Sequence, residues 1–149
     1  MSEIRKETVR GLKAGIAFSI SRTFSKKDIA DFARISRDDN PIHSDESFIK
    51  SKNMKGPICH GMLVASMLTE IGGQIGWLAA GMDIQFKKPV YVGETVTCHF
   101  TITSIDEQDR ATAEIRFENS NRETVIEATL TGILPSPTER KILEALMDT

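Results

Sequence analysis

One short stretch of the chain concentrates side chains that move protons: Asp38-Asp39-Asn40-Pro41-Ile42-His43-Ser44-Asp45. A carboxylate and an imidazole that reach the same water make a general acid–base pair. On a helix, residues five apart point about 140° away from each other, so Asp38 and His43 could not converge there. A residue before proline is pushed towards extended geometry, so no helix crosses Asn40-Pro41. In a loop bent at that point the two side chains can meet. The competing reading is a solvated polar loop. A calcium loop fails, because the sixth position from Asp38 is His43, where glycine is required, and the twelfth is Ile49, where glutamate is required. A zinc site needs about three protein ligands; Asp38, His43 and one distant residue could make one, but nothing specific supports it, and no metal is expected.

An acid–base pair acting on a carbonyl compound also needs somewhere to put negative charge. Residues 60–75 have little polar face: Met62, Leu63, Val64, Ala65, Met67, Leu68, Ile71 and Ile75 are apolar. This predicts one buried helix, roughly 24 Å long. Its N-terminus would carry free backbone N–H groups and a positive dipole end. Gly61 would let a substrate oxygen approach that backbone, as in an oxyanion hole. His60 is expected to act structurally, capping the helix or lining a pocket. His99 falls on the polar side of a strand and is expected to be a solvated surface group.

The remaining elements must hold these two halves together. Ile16, Phe18 and Ile20 alternate with polar residues, as a strand does. Ser25 and Asp28 make a capping-box pattern, and Ile29, Phe32 and Ala33 follow at helical spacing, so a helix is expected over 26–35. A short helix is expected over 46–50, then a loop to Cys59. Four later segments alternate with period two: Met82, Ile84 and Phe86; Val96, Cys98, Phe100 and Ile102; Ala111, Ala113, Ile115 and Phe117; Ile126, Ala128 and Leu130. Strands with one apolar and one polar face make an antiparallel sheet covered on one side. The long helix is the natural cover, which gives an α+β class. Pro135 and Pro137 end the sheet, and a tail helix is expected over 138–147. One domain is expected across the 149 residues, with its core at about 16–135.

Composition excludes several function classes. Hydrophobic residues make up 40% and charged residues 27%, and the formal net charge is −2. With no positive excess, nucleic acid is not an expected partner. No apolar run is long enough to span a membrane, and residues 1–14 lack the apolar core of a secretory signal. Cys59 and Cys98 show no CxxC or metal spacing and are expected to be free buried thiols in a reducing cytoplasm.

Taken together, Asp38-x-Asn40-Pro41-x-His43-x-Asp45 and Pro57-Ile58-Cys59-His60-Gly61-Met62-Leu63-Val64-Ala65-Ser66 resemble the R-specific enoyl-CoA hydratases and the wider MaoC-like dehydratases. Phe86-Lys87-Lys88-Pro89-Val90-Tyr91-Val92-Gly93-Glu94 looks like the strand after the central helix in the same family. The resemblance covers about residues 18–134. It implies a hot-dog fold, in which an antiparallel sheet wraps a long central helix, assembled as a homodimer. It implies reversible hydration of trans-2-enoyl thioesters to (R)-3-hydroxyacyl thioesters, in fatty-acid or polyhydroxyalkanoate metabolism. No cofactor is implied beyond CoA or acyl-carrier protein as the carrier of the substrate. The catalytic aspartate falls on Asp38 and the catalytic histidine on His43, with their acid and base roles unassigned. The carbonyl-binding amide falls on Gly61, with Asn40, Thr69 and His60 in support. Thr69 stands where relatives carry serine, and Arg37 where many have a small residue. Asp39 reads as a solvated loop charge.

An apolar tunnel would be needed for the acyl chain. Met62, Met67, Met82 and Trp77 are its candidates, with core packing the competing role for each. Lys52, Lys55, Lys87 and Lys88 are candidates for CoA phosphates. Three other functions remain open: a 3-hydroxyacyl-acyl-carrier-protein dehydratase, a hot-dog thioesterase using Glu70, and a non-catalytic subunit of a heterodimer.

Overall fold

A computed structural model describes residues 2–148. Five strands form one antiparallel sheet: β1 (Ala17–Thr23), β2 (Leu78–Phe86), β3 (Thr95–Ile105), β4 (Arg110–Glu118) and β5 (Thr124–Ile133), in the order β1-β3-β4-β5-β2. The expected alternation is clearest on β3 and β4, where Val96, Cys98, Phe100, Ile102, Ala111, Ala113, Ile115 and Phe117 are all buried. The residues between them face outward, so one face of the sheet is core and the other is wet.

The helices are α1 (Glu3–Arg10), α2 (Lys26–Ser36), α3 (Glu46–Ser51), α4 (Gly61–Ala65), α5 (Met67–Ile75) and α6 (Pro137–Ala145). Val64, Ala65, Met67, Leu68, Ile71 and Ile75 from α4 and α5 fill the inner face of the sheet. Helix on one face of an antiparallel sheet is the expected α+β architecture.

Two expectations are corrected, and one element is new. The central segment is two helices, not one 24 Å rod. It breaks at Ser66, whose hydroxyl donates to Leu63 O at 2.6 Å, while Thr69 Oγ1 donates to Ser66 O at 2.6 Å. Hydroxyl groups that bond the preceding turn compete with the helical ladder. Nor is the segment buried all round, since Met62 is 57% exposed and Thr69 also faces out. The second correction concerns β2. It starts at Leu78, and Met82 and Phe86 are half-exposed because β2 is an edge strand with only β5 beside it. The new element is α1. It joins the core through Ile4, and the Arg5 side chain donates to Gln74 O and Gly73 O, satisfying carbonyls at the end of α5.

Candidate active site

The loop bearing Asp38 starts where α2 is forced to stop. Ser25 and Asp28 form the expected capping box at its N-terminus. At the other end Arg37 adopts a left-handed conformation, φ 60°, and its N–H bonds Ala33 O at 2.8 Å. That turn swings Asp38 off the helix axis. It strains a residue with a Cβ, where glycine would sit freely. Asp38 N–H then bonds Ser36 Oγ at 3.2 Å, and Asn40 N–H bonds Asp38 Oδ1 at 3.2 Å. Asn40 Oδ1 accepts Ile42 N–H at 3.1 Å and opens a one-turn 3₁₀ segment, Pro41–His43. Asn40 therefore shapes the loop and points its amide oxygen at backbone.

That turn brings His43 back beneath Asp38. Its Nε2 lies 4.0 Å from Asp38 Oδ2, and its ring is largely buried. His43 Nδ1 sits 2.7 Å from Ile58 O. A carbonyl oxygen only accepts, so Nδ1 carries the proton and Nε2 offers a lone pair towards Asp38.

His60 is the third member of the cluster and is 2% exposed. Its Nε2 donates to Asp38 O at 3.0 Å. Its ring stacks on His43, with centroids 3.7 Å apart and planes 26° from parallel, and the Phe32 ring lies 5.0 Å away, tilted by 55°. With Nε2 donating, Nδ1 is left as an acceptor, buried and without a partner among the described residues. An unsatisfied buried polar atom costs about 1–3 kcal/mol. His60 supplies no side-chain cap to α4. The partner it does have lies 22 residues earlier, which spacing along one helix could not reveal.

Asp38, His43 and His60 do place one ligand atom each within 4.8 Å of one another. Zinc holds its tetrahedral ligands at about 2.1 Å, which puts them about 3.4 Å apart. Two imidazoles stacked face to face direct their in-plane lone pairs side by side rather than at a common point. The cluster is shaped as a proton-handling group more than as a metal cradle.

Asp38, His43, His60 and Gly61 share the wall of a cavity of about 480 Å³. Its other walls include Phe32, Met62, Val64, Phe86 and Ile126, an apolar lining of the size that small-molecule sites use. The ladder of α4 begins with Leu63 and Val64 N–H, both donating to His60 O, so Gly61 N–H opens the helix ahead of those bonds. A Cβ on Gly61 would come within 2.6 Å of Phe86 Cε1, so glycine is what lets that ring and the backbone share the space.

Other expected residues fall elsewhere. Thr69 turns its hydroxyl to Ser66 O and is not on the cavity wall. Asp39 is exposed and lines a neighbouring hollow, leaving Asp38 as the carboxylate that faces the cavity. Of the four tunnel candidates only Met62 lines it. Met67 is wholly buried in the core, Met82 is on the edge strand, and Trp77 packs edge-on to Phe100. Lys87 and Lys88 reach the cavity mouth, where they pair with Glu127 and Glu123. Lys52 and Lys55 sit over the Phe48 and Tyr91 rings. His99 is not merely solvated: it bonds Ser19 Oγ at 2.9 Å and Glu118 Oε1 at 2.8 Å across the outer sheet face. Both cysteines are free and buried. Burial pushes the Cys59 thiol up to about 11 and Cys98 up to about 12.

A hot-dog fold with an Asp/His pair beside a helix start defines a class of thioester-handling proteins. Residues 8–125 match the MaoC like domain, and the chain belongs to that family. It is 35% identical over 104 residues to an (R)-specific enoyl-CoA hydratase of Aeromonas caviae, spanning 67% of this chain and 78% of the relative. It is 30% identical over 131 residues to a mitochondrial 3-hydroxyacyl-[acyl-carrier-protein] dehydratase of Arabidopsis thaliana, spanning 84% and 79%. Among solved structures, the (R)-hydratase from A. caviae involved in PHA biosynthesis superposes with a TM-score of 0.80 at 31% identity. That match covers 85% of this chain and 99% of the other.

Proposed function

We propose that the chain, acting as one domain, catalyses reversible hydration of trans-2-enoyl thioesters to (R)-3-hydroxyacyl thioesters. The observation that carries this reading is the Asp38–His43 span of 4.0 Å on the wall of an apolar cavity. It is too long for a direct hydrogen bond and suits one water between the two groups. Both groups accept, so that water donates one hydrogen to His43 Nε2 and one to Asp38 Oδ2. Its lone pairs are left to attack the β-carbon.

As the new C–O bond forms, one water proton passes to the pair and the alkene electrons shift towards the thioester oxygen. Gly61 N–H stabilises that enolate-like oxygen, the kind of donor whose loss costs about 10²–10³ in rate. The α-carbon then takes a proton from the pair, which restores the site. Dehydration runs the same steps backwards. No metal or cofactor enters the scheme.

A second copy of the chain completes the protein in this reading. β2 is an edge strand, and Leu78, Met82 and Phe86 stand 68%, 50% and 53% exposed along it. An exposed apolar edge is a pairing surface unless it is covered. Homodimerisation covers it and brings the partner close to the Phe86 side of the cavity. Among the described residues no helix is long and apolar enough to cross a membrane. The two free thiols fit a reducing cytoplasm.

The carrier is CoA or acyl-carrier protein, and relatives act on each by name. The thioesterase reading loses support, because Glu70 is tied to Arg22 and does not line the cavity. The non-catalytic-subunit reading conflicts with an intact Asp38–His43 pair. The deciding test follows loss of enoyl absorbance on crotonyl-CoA and longer enoyl-CoAs, beside a free-thiol assay and chiral analysis of the product. Thiol release without hydration, or an (S) product, overturns the proposal.

A further inference from the structure

We infer that His60 is a positioning residue that holds Asp38 and His43 in register as one unit. The inference rests on the hydratase reading above. The His60 ring touches both members of the pair: its Nε2–H bonds Asp38 O at 3.0 Å and its face stacks on His43 at 3.7 Å. Those two residues approach the cavity from either end of the six-residue stretch 38–43. Apart from this ring, Asp38 hangs on Ser36 and Asn40, and its side chain is half-exposed. His43 is fixed by Ile58 O and by the stack.

The choice of residue type strengthens the argument. Phenylalanine could keep the stack on His43 and would leave no orphan nitrogen. Histidine at a site 2% exposed carries an unpartnered Nδ1 instead. Unsatisfied polar atoms persist in native structures where another role retains them. Here that role is the Nε2–H bond to the Asp38 backbone, which no apolar ring can make. His60 touches no reacting atom in the proposed scheme. It acts through the placement of its two neighbours, and misplacement by about 1 Å can cost about 10² in rate.

Two variants separate the two contacts. His60→Phe keeps the stack and loses the bond to Asp38 O. His60→Gln keeps a donor at comparable reach and loses the stack. We expect His60→Phe to hold or raise Tm while kcat falls about 10–100-fold with KM little changed. His60→Gln should recover part of that loss in kcat, although its Tm falls. In the wild type the His43 ring protons should show the ring-current shift of a stacked aromatic in NMR spectra. That shift should persist in His60→Phe and vanish in His60→Gln.

Wild-type kcat in His60→Phe overturns the inference. So does a loss of kcat and Tm together in His60→Phe, which marks a merely structural role. If the wild-type protein hydrates no enoyl thioester, it is the hydratase reading that fails, and the NMR arm still tests the stacking.

Discussion

The 4.0 Å between His43 Nε2 and Asp38 Oδ2 makes a quantitative claim about how the two residues share work. Hydrogen bonds from one water to each atom are about 2.8 Å long. Two such legs closing a 4.0 Å gap meet at about 90° at the water oxygen, near enough to its natural angle for one molecule to serve both. If a single water carries the chemistry, removing either partner removes its alignment. Asp38→Asn and His43→Gln should each lower kcat by about 10²–10⁴-fold, the scale of general acid–base catalysis. Independent contributions would multiply to about 10⁴–10⁸ in the double variant. A shared water predicts that the double variant lies within about tenfold of the worse single one, as groups that act as a unit do. The coupling is then about 1.4–5.5 kcal/mol. The assay is steady-state hydration of crotonyl-CoA by all four proteins, with thermal melts to show that each is folded. The Asp38 side chain is 48% exposed, so its isosteric change should leave Tm almost unmoved. Multiplicative losses in the double variant would refute the shared water and leave two separate catalytic groups.

Other outcomes follow from single features. Gly132→Ala places a methyl inside the Trp77 ring in a packed part of β5 and should cost about 1–3 kcal/mol of stability by urea unfolding. Arg37→Gly relieves the left-handed strain at φ 60° and should add about 0.5–1 kcal/mol, less if the flexible residue loosens Asp38, which kcat would register. If the chain pairs through β2 as proposed, Met82→Lys on the exposed edge should shift sedimentation from dimer towards monomer; an unchanged dimer would place the interface elsewhere. Burial raises both thiols from an ordinary 9.0 to about 11 and 12. A group whose folded pKa is raised stabilises below its unfolded value and loses that contribution as pH rises through the folded one. Stability should therefore fall as pH climbs from about 9 towards 12, less steeply in a Cys59→Ala, Cys98→Ala variant, and DTNB should not label the native protein at pH 8.

What could be read from the sequence was whatever depends on local spacing. Strand periodicity named the inward residues of β3 and β4 correctly because both strands have neighbours on each side. The same periodicity misjudged Met82 and Phe86, since alternation reports which face a side chain takes and not whether another strand or helix covers it. The Ser25–Asp28 cap was legible because it closes within one turn. The break at Ser66 was not, since an apolar run hides two hydroxyls that bond back into the preceding turn. α1 escaped notice because only Ile4 and Thr8 of its eight residues are buried, too sparse a stripe to show a period. The site divides in the same way. Asp38 and His43 are five residues apart, and a proline between them announced the bend. His60 looked like a helix cap, because its real contacts join it to residues 22 and 17 positions earlier through folding alone. Local spacing could therefore nominate the acid–base pair, whereas the ring that holds the pair together could be recognised only once the chain had closed on itself.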